Sequence, residues 1–117
     1  MLTRGQLINY GLSFPDTYQD EPFHDPNWKL VRIKSTKKAF LWTYEKDNVL
    51  CMNLKVDPKW RDFWRKVYPS VLPGYHMNKD HWNTVIVDGS ISDHELMRMI
   101  AEKCNLRTEK KLIAVGV

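Results

Sequence analysis

Two cysteines in 117 residues, Cys51 and Cys104, with no CxxC pair, leave neither a zinc ribbon nor a disulfide scaffold in this chain. One bridge between them is arithmetically open, but a reduced, cytoplasmic state is the expectation. Five glycines are too few for a loop that cradles phosphate. Neither a GxSxG elbow nor a Cys–His spacing suited to nucleophilic attack occurs. No apolar run nears the ~20 residues of a membrane span, and Met1–Phe14 lacks the basic-then-apolar layout of a secretion signal. With 43% hydrophobic and 27% charged residues, what remains has the composition of one soluble globular domain.

Charge is present in quantity and unevenly placed. The net charge is +4. Residues 1–27 hold Arg4 against Asp16, Asp20, Glu21 and Asp25, a net of −3. Residues 28–66 hold eleven Lys/Arg against four acids, a net of +7, and the remainder balances. A basic middle in a small domain points to a polyanionic partner, most often nucleic acid.

Period and punctuation give the element order. Thr3-Arg4-Gly5-Gln6 has the spacing of a capping box and opens a helix over residues 4–13, stopped by Pro15. This helix contains no carboxylate. Pro15–Trp28, with three prolines, is expected to be a loop pinned by Tyr18, Phe23 and Trp28. Alternation then sets in. Val31 and Ile33 share one face of a strand. Phe40, Trp42 and Tyr44 are grouped on one face of Ala39–Tyr44. Leu50, Met52, Leu54 and Val56 oppose Cys51, Asn53 and Lys55 in Val49–Val56. Asp57-Pro58 starts a helix whose stripe Trp60, Phe63, Trp64 and Val67 is assigned to the core, and Pro69 ends it. Pro73-Gly74 marks a turn, Tyr75–Val87 is extended with room for a turn at Met77–His81, and Ser92-Asp93-His94-Glu95 caps a helix to about Asn105. Cys104 falls on that helix's apolar side. The expected fold is α+β, a two-layer sandwich. Its antiparallel sheet has four to five strands with helices on one face, in the order α-β-β-β-α-β-α. One domain spans 1–106, and 107–117 is a tail of open structure.

The run Pro73-Gly74-Tyr75-His76-Met77-Asn78-Lys79-Asp80-His81-Trp82-Asn83-Thr84-Val85 resembles the signature of the MmcQ/YjbR family of small bacterial proteins. Pro22-Phe23, Lys38-Ala39-Phe40, Asn53-Leu54-Lys55-Val56-Asp57-Pro58, Tyr68-Pro69 and Asp88-Gly89 follow in the same order. Asp25-Pro26-Asn27-Trp28 and Trp60-Arg61-Asp62-Phe63-Trp64 are similar to its YyaQ-like branch. The resemblance implies a fold similar to CyaY, the bacterial frataxin, and a "double wing" mode of DNA binding by two hairpin-like loops. Frataxins use an acidic first helix for iron, and the first helix here has no acid, so iron handling is not carried over.

The candidate DNA-contacting residues fall in two places. Arg32, Lys34, Lys37 and Lys38 flank the turn between the first two expected strands, where ammonium groups reach phosphates without unburying a core. The plainer reading is an edge guarded by lysines. Tyr75, His76, Asn78, Lys79 and His81 lie in the signature run. There Asn can pair with an adenine edge, aromatic rings can stack on bases, and Lys can neutralise phosphate. The plainer reading makes Tyr75 and Trp82 core anchors and has Asn bond its own loop. A basic sheet face, with Arg32, Lys34, Asn53 and Lys55 outward, is a third surface, suited to single strands if aromatics adjoin it. Period alone leaves the direction of Trp42 open. Asp20, Glu21, His24 and Asp25, and the pair His76/His81, lack the count and spacing of a metal site. His76 with Asp80 or Asp88 is the best acid–base pair available, and it has no supporting motif. The expectation is a non-enzymatic module for nucleic acid, DNA before RNA, with no cofactor, metal or membrane. The alternative is a small-ligand or protein-interaction module built on the Tyr75–Trp82 loop. Oligomeric state is open, with a monomer as the working assumption.

Overall fold

The computed structural model describes residues 1–102. Expectations for Cys104, the end of the last helix, the domain limit at 106 and the tail 107–117 lie outside the described residues. Thr3 caps the first helix, α1 (Arg4–Leu12), as expected: its side chain accepts from the Gln6 amide, and Gln6 accepts from the Thr3 amide in return. Leu7, Ile8 and Gly11 are its buried residues. A Cβ on Gly11 would stand 3.3 Å from side-chain carbons of both Leu41 and Val31, so a larger residue there would push the helix off the sheet.

Six strands follow in one sheet: β1 (Thr17–Asp20), β2 (Lys29–Ile33), β3 (Ala39–Lys46), β4 (Val49–Lys55), β5 (Val71–Pro73) and β6 (Trp82–Ile86). Their spatial order is β1-β2-β3-β4-β6-β5 and every pairing is antiparallel. Strand β1 lies inside the segment expected to be loop, and β5 is a three-residue edge strand ending in proline, so the sheet is larger than expected. Between β3 and β4 the turn is Asp47-Asn48, both with positive φ (52° and 63°) and flanked by the pair Lys46↔Val49. This is a two-residue hairpin, and Asp and Asn are the non-glycine residues that best tolerate it. The second helix, α2 (Pro58–Val67), starts where Asp57 accepts from the Lys59 amide at 2.9 Å. A third, α3, runs from 93 to the limit of the described residues, with Ser92 Oγ accepting from the Glu95 amide.

The main core lies between the sheet and the three helices. Leu7 and Ile8, Trp64, and Leu96, Met99 and Ile100 meet Val31, Leu41, Met52, Leu54 and Val85 there. Two expectations fail at this layer. Val31 pairs with Leu41 and Arg32 with Ala39, which makes Phe40 an extra residue, a β-bulge. Phe40 and Leu41 are consequently both fully buried in the helix-side core, while Trp42 and Tyr44 turn to the other face. Phe40 therefore does not share a face with them. On α2 only Trp64 is buried. Trp60, Phe63 and Val67 remain 48%, 45% and 47% exposed, because α2 lies over β5 and β6 at the edge of the sheet, where only Trp64 of the stripe reaches the core.

The other face of the sheet is not bare. The segments 21–28 and 74–81 carry a second, aromatic layer over it. Leu30, Trp42, Tyr44 and Asn53 lie beneath, and Leu30, Tyr44 and Asn53 have almost no exposure. Arg4 ties one of these segments down from the opposite side of the molecule. Its guanidinium donates to Thr43 Oγ1 (3.1 Å), to the Thr43 carbonyl (2.8 Å) and to the Asn27 carbonyl.

Candidate nucleic-acid interface

The hairpin between β2 and β3 is built from backbone bonds before any lysine is considered. The Ile33 amide donates to the Lys38 carbonyl (2.9 Å) and the Lys37 amide to the Ile33 carbonyl (2.7 Å). Asp16 receives the Lys34 amide on its carbonyl (2.7 Å) and the Ser35 amide on its carboxylate (3.3 Å). Lys34, Lys37 and Lys38 are exposed on this framework. Lys37 takes a φ of 59°, a left-handed conformation usually left to Gly, Asn, Asp or His. Arg32 behaves differently. Its Nε lies 2.7 Å from Asp20 Oδ2 and its Nη1 donates to the Lys37 carbonyl (2.9 Å). Arg32 therefore braces the hairpin from beneath, while the lysines form its outer surface.

The loop between β5 and β6 is seated just as firmly. Gly74 donates its amide to the Trp82 carbonyl (3.0 Å), and a Cβ there would lie 2.7 Å from the Trp82 Cβ. Only glycine fits. The Tyr75 amide donates to Thr84 Oγ1 (2.8 Å), and its carbonyl accepts from Asn53 Nδ2 (3.1 Å). Its ring stacks on Tyr44, with centroids 5.8 Å apart, and Lys46 Nζ lies 4.1 Å from the Tyr75 centroid. His76 has a φ of 59°, is exposed, and sets its ring 3.9 Å from that of Tyr75. Asn78 accepts the Asp80 amide (2.9 Å), a local turn bond, so its side-chain oxygen is already engaged. Lys79 and His81 are exposed, and their carbonyls are held by Arg65 (2.5 Å) and by the Val56 amide (2.8 Å). Trp82 is partly buried, against Trp42 at 6.2 Å. It anchors the aromatic layer.

Two residues that sequence reasoning passed over hold this loop to α2. Arg65 donates to Asn83 Oδ1 (2.7 Å) and to the Trp82 carbonyl (3.3 Å), and Arg61 to the Asp80 carbonyl (3.1 Å). The available signal was their i,i+4 spacing, which puts both on one face of the helix. Arg61 also bonds Asp62, which holds that carboxyl below its ordinary range. Asn53, expected on an outward face, is fully buried beneath the loop.

Strand registers decide where the two loops stand. Leu41 pairs with Leu54, and Lys55 with Trp82. The β2–β3 hairpin and the β5–β6 loop therefore leave the same end of the sheet. Their midlines are three strand spacings apart in the order β2-β3-β4-β6-β5, about 14 Å at the usual spacing. Lys55 and Lys59 belong to the same end, beside the β4–α2 junction. The far end carries Glu45, Asp47 and Asp88 together with Lys29 and Lys46, with Glu21 and Asp25 beyond β1, while Asp16, Asp57 and Asp80 lie among the lysines of the first end. Both signs occur at each end, with lysines in excess at the first and carboxylates at the second. Among the described residues no group of three His, Cys, Asp or Glu side chains is placed to hold a metal ion, and no helix is long and apolar enough to cross a membrane.

A family profile for YjbR matches residues 12–103. The chain belongs to the YjbR family. Escherichia coli K12 YjbR is 30% identical to it over 114 residues, covering 94% of each chain. Bacillus subtilis YyaQ is 29% identical over 120 residues, covering 91% of this chain and 98% of its own. Both are described as uncharacterized proteins. Among solved structures, a Deinococcus radiodurans protein with a DUF419 domain superposes with a TM-score of 0.83 at 30% identity, covering 95% of this chain and 82% of its own. A Pseudomonas syringae protein superposes with 0.75 at 29% identity, covering 87% and 96%. YjbR membership thus accounts for the expected signature run, and the YjbR-like architecture extends over nearly all the described residues.

Proposed function

We propose that this domain binds nucleic acid, duplex DNA in the first instance, by placing the Lys34–Lys38 hairpin and the Lys79 loop against phosphates on either side of a groove, with no bond made or broken. One observation carries the reading. Two exposed, lysine-bearing loops leave one end of the sheet, where lysines outnumber carboxylates. The strands that bear them stand about 14 Å apart, on the scale of the ~12 Å width of a major groove. Rigidity matters because pre-ordered loops lose little entropy on docking. The small-ligand alternative needs a cleft at Tyr75, His76 and Trp82. Those rings are instead packed against one another and their neighbours, tilted or edge-on, which favours a contact surface over an enclosed site.

The test is a fluorescence-anisotropy titration with duplex DNA at several salt concentrations. With about four phosphates contacted, log K falls with log salt at a slope of about −4. Replacing Lys37 and Lys38 by Glu weakens binding and flattens the slope by about 2. It changes stability by less than ~0.5 kcal/mol, since exposed charges contribute little. A folded protein that binds no duplex at low salt overturns the proposal.

A further inference from the structure

We propose that the sheet face turned away from the helices is a stacking platform for unpaired nucleobases, so that a single strand lies across it beside the two basic loops. This rests on the nucleic-acid reading above and adds to it a second form of ligand, on a different surface.

The face carries one connected aromatic layer. Phe23 lies 5.6 Å from Trp42, Trp28 lies 6.0 Å from Trp42 and 6.5 Å from His76, and Trp42 lies 6.2 Å from Trp82. A layer serving only as core would be sealed, as Phe40 and Leu41 are on the helix side. This one is left open. Phe23 is 47% exposed, His76 is exposed, and Trp28, Trp42 and Trp82 are each partly so. The loop that presents His76 is clamped at Tyr75 by Asn53 and Thr84 and at Lys79 by Arg65. The ring is thus held in place before any ligand arrives.

Charge complementarity selects the occupant. The register Lys55↔Trp82 puts a lysine beside the layer's edge, and Lys79 and His81 adjoin it in the loop. On the same face Asp20 is taken up by Arg32, Glu21 lies 3.8 Å from Lys29, and Asp25 accepts the Asn27 amide, so the cations in excess are those beside Trp82 and His76. Cations beside exposed ring faces are the arrangement that tracks a phosphate backbone while bases stack. A duplex keeps its bases stacked inside and has no use for such rings. A single strand does.

The experiment titrates labelled oligothymidylate and a duplex of equal length in parallel at about 50 and 200 mM salt. It follows anisotropy and intrinsic tryptophan emission for the wild type, His76→Asn and Phe23→Ala. Asn tolerates the left-handed backbone at 76, and both positions are exposed, so both variants fold. Oligothymidylate is expected to bind with quenching of tryptophan emission. Each variant is expected to lower single-strand affinity about tenfold, and Phe23→Ala, which lies in neither basic loop, to change duplex affinity by less than about twofold. The inference is overturned if duplex binds and the single strand does not, if the single strand binds without altering emission, or if Phe23→Ala does not separate the two ligands. Absence of binding to either ligand overturns the duplex reading as well.

Discussion

Asn53 and Tyr75 lie 22 positions apart and are joined by a 3.1 Å hydrogen bond from the Asn53 side-chain amide to the Tyr75 carbonyl. The Asn53 oxygen accepts in turn from the Tyr44 hydroxyl (3.1 Å) and from Thr84 Oγ1 (2.7 Å). One buried amide thereby fixes the start of the β5–β6 loop to the middle of the sheet. Replacing Asn53 by Leu removes the acceptor of two hydroxyls, Tyr44 and Thr84, and the donor to the Tyr75 carbonyl. The expected loss is about 2–4 kcal/mol in urea unfolding, with faster amide exchange over residues 75–81. A stability within the error of the wild type would show that the loop is held elsewhere.

The two α2 tryptophans at i,i+4 are expected to separate. Trp64, 7% exposed, packs in the core, and Trp60 is 48% exposed. Trp64→Ala should cost about 3–5 kcal/mol through a core cavity. Trp60→Ala should cost no more than about 1 kcal/mol. Equal losses in denaturant titrations would contradict the exposure pattern.

Lys37→Gly separates the backbone of the hairpin from its charge. Glycine relieves the left-handed strain, worth about 1–2 kcal/mol, against an entropic cost of about half that. The variant should melt at or slightly above the wild-type temperature while its duplex-binding salt slope falls by about 0.9. A lowered melting temperature would mean that the lysine side chain supports the hairpin.

Burial pushes the Tyr44 phenol up to about 12, from an ordinary 10.0. A group whose folded value is raised contributes its full stability below the unfolded value, and that contribution is lost as pH rises from about 10 through 12. The stability difference between the wild type and Tyr44→Phe should therefore be flat up to pH ~10 and then shift against the wild type. An absorbance titration should show one tyrosine ionising about two units after exposed ones. Full ionisation of all tyrosines near pH ~10 in the folded protein would refute this.

Much of the fold was legible in the sequence because its cues are local. The capping box at Thr3, the Asp57-Pro58 start, and the alternation from Val49 to Lys55 each report on their own segment. Strand β1 was missed because Thr17–Asp20 acquires its pairing from Lys29–Ile33, a distant partner that propensity does not see. The face of Trp42 hinged on a bulge at Phe40, and one extra residue reverses the side on which every following side chain lies. At the site, the exposed lysines were legible from composition and turns. The buried role of Asn53 and the bracing by Arg32, Arg61 and Arg65 were not, because each depends on a contact across the tertiary structure.

The excess of lysines at one end of the sheet and of carboxylates at the other has a kinetic consequence. A body charged in this way feels a torque as it approaches a polyanion and arrives lysine end first, so fewer collisions are spent in wrong orientations. That gain in association rate should fade as added electrolyte shortens the screening length, about 10 Å at 0.1 M, below the dimensions of the domain itself.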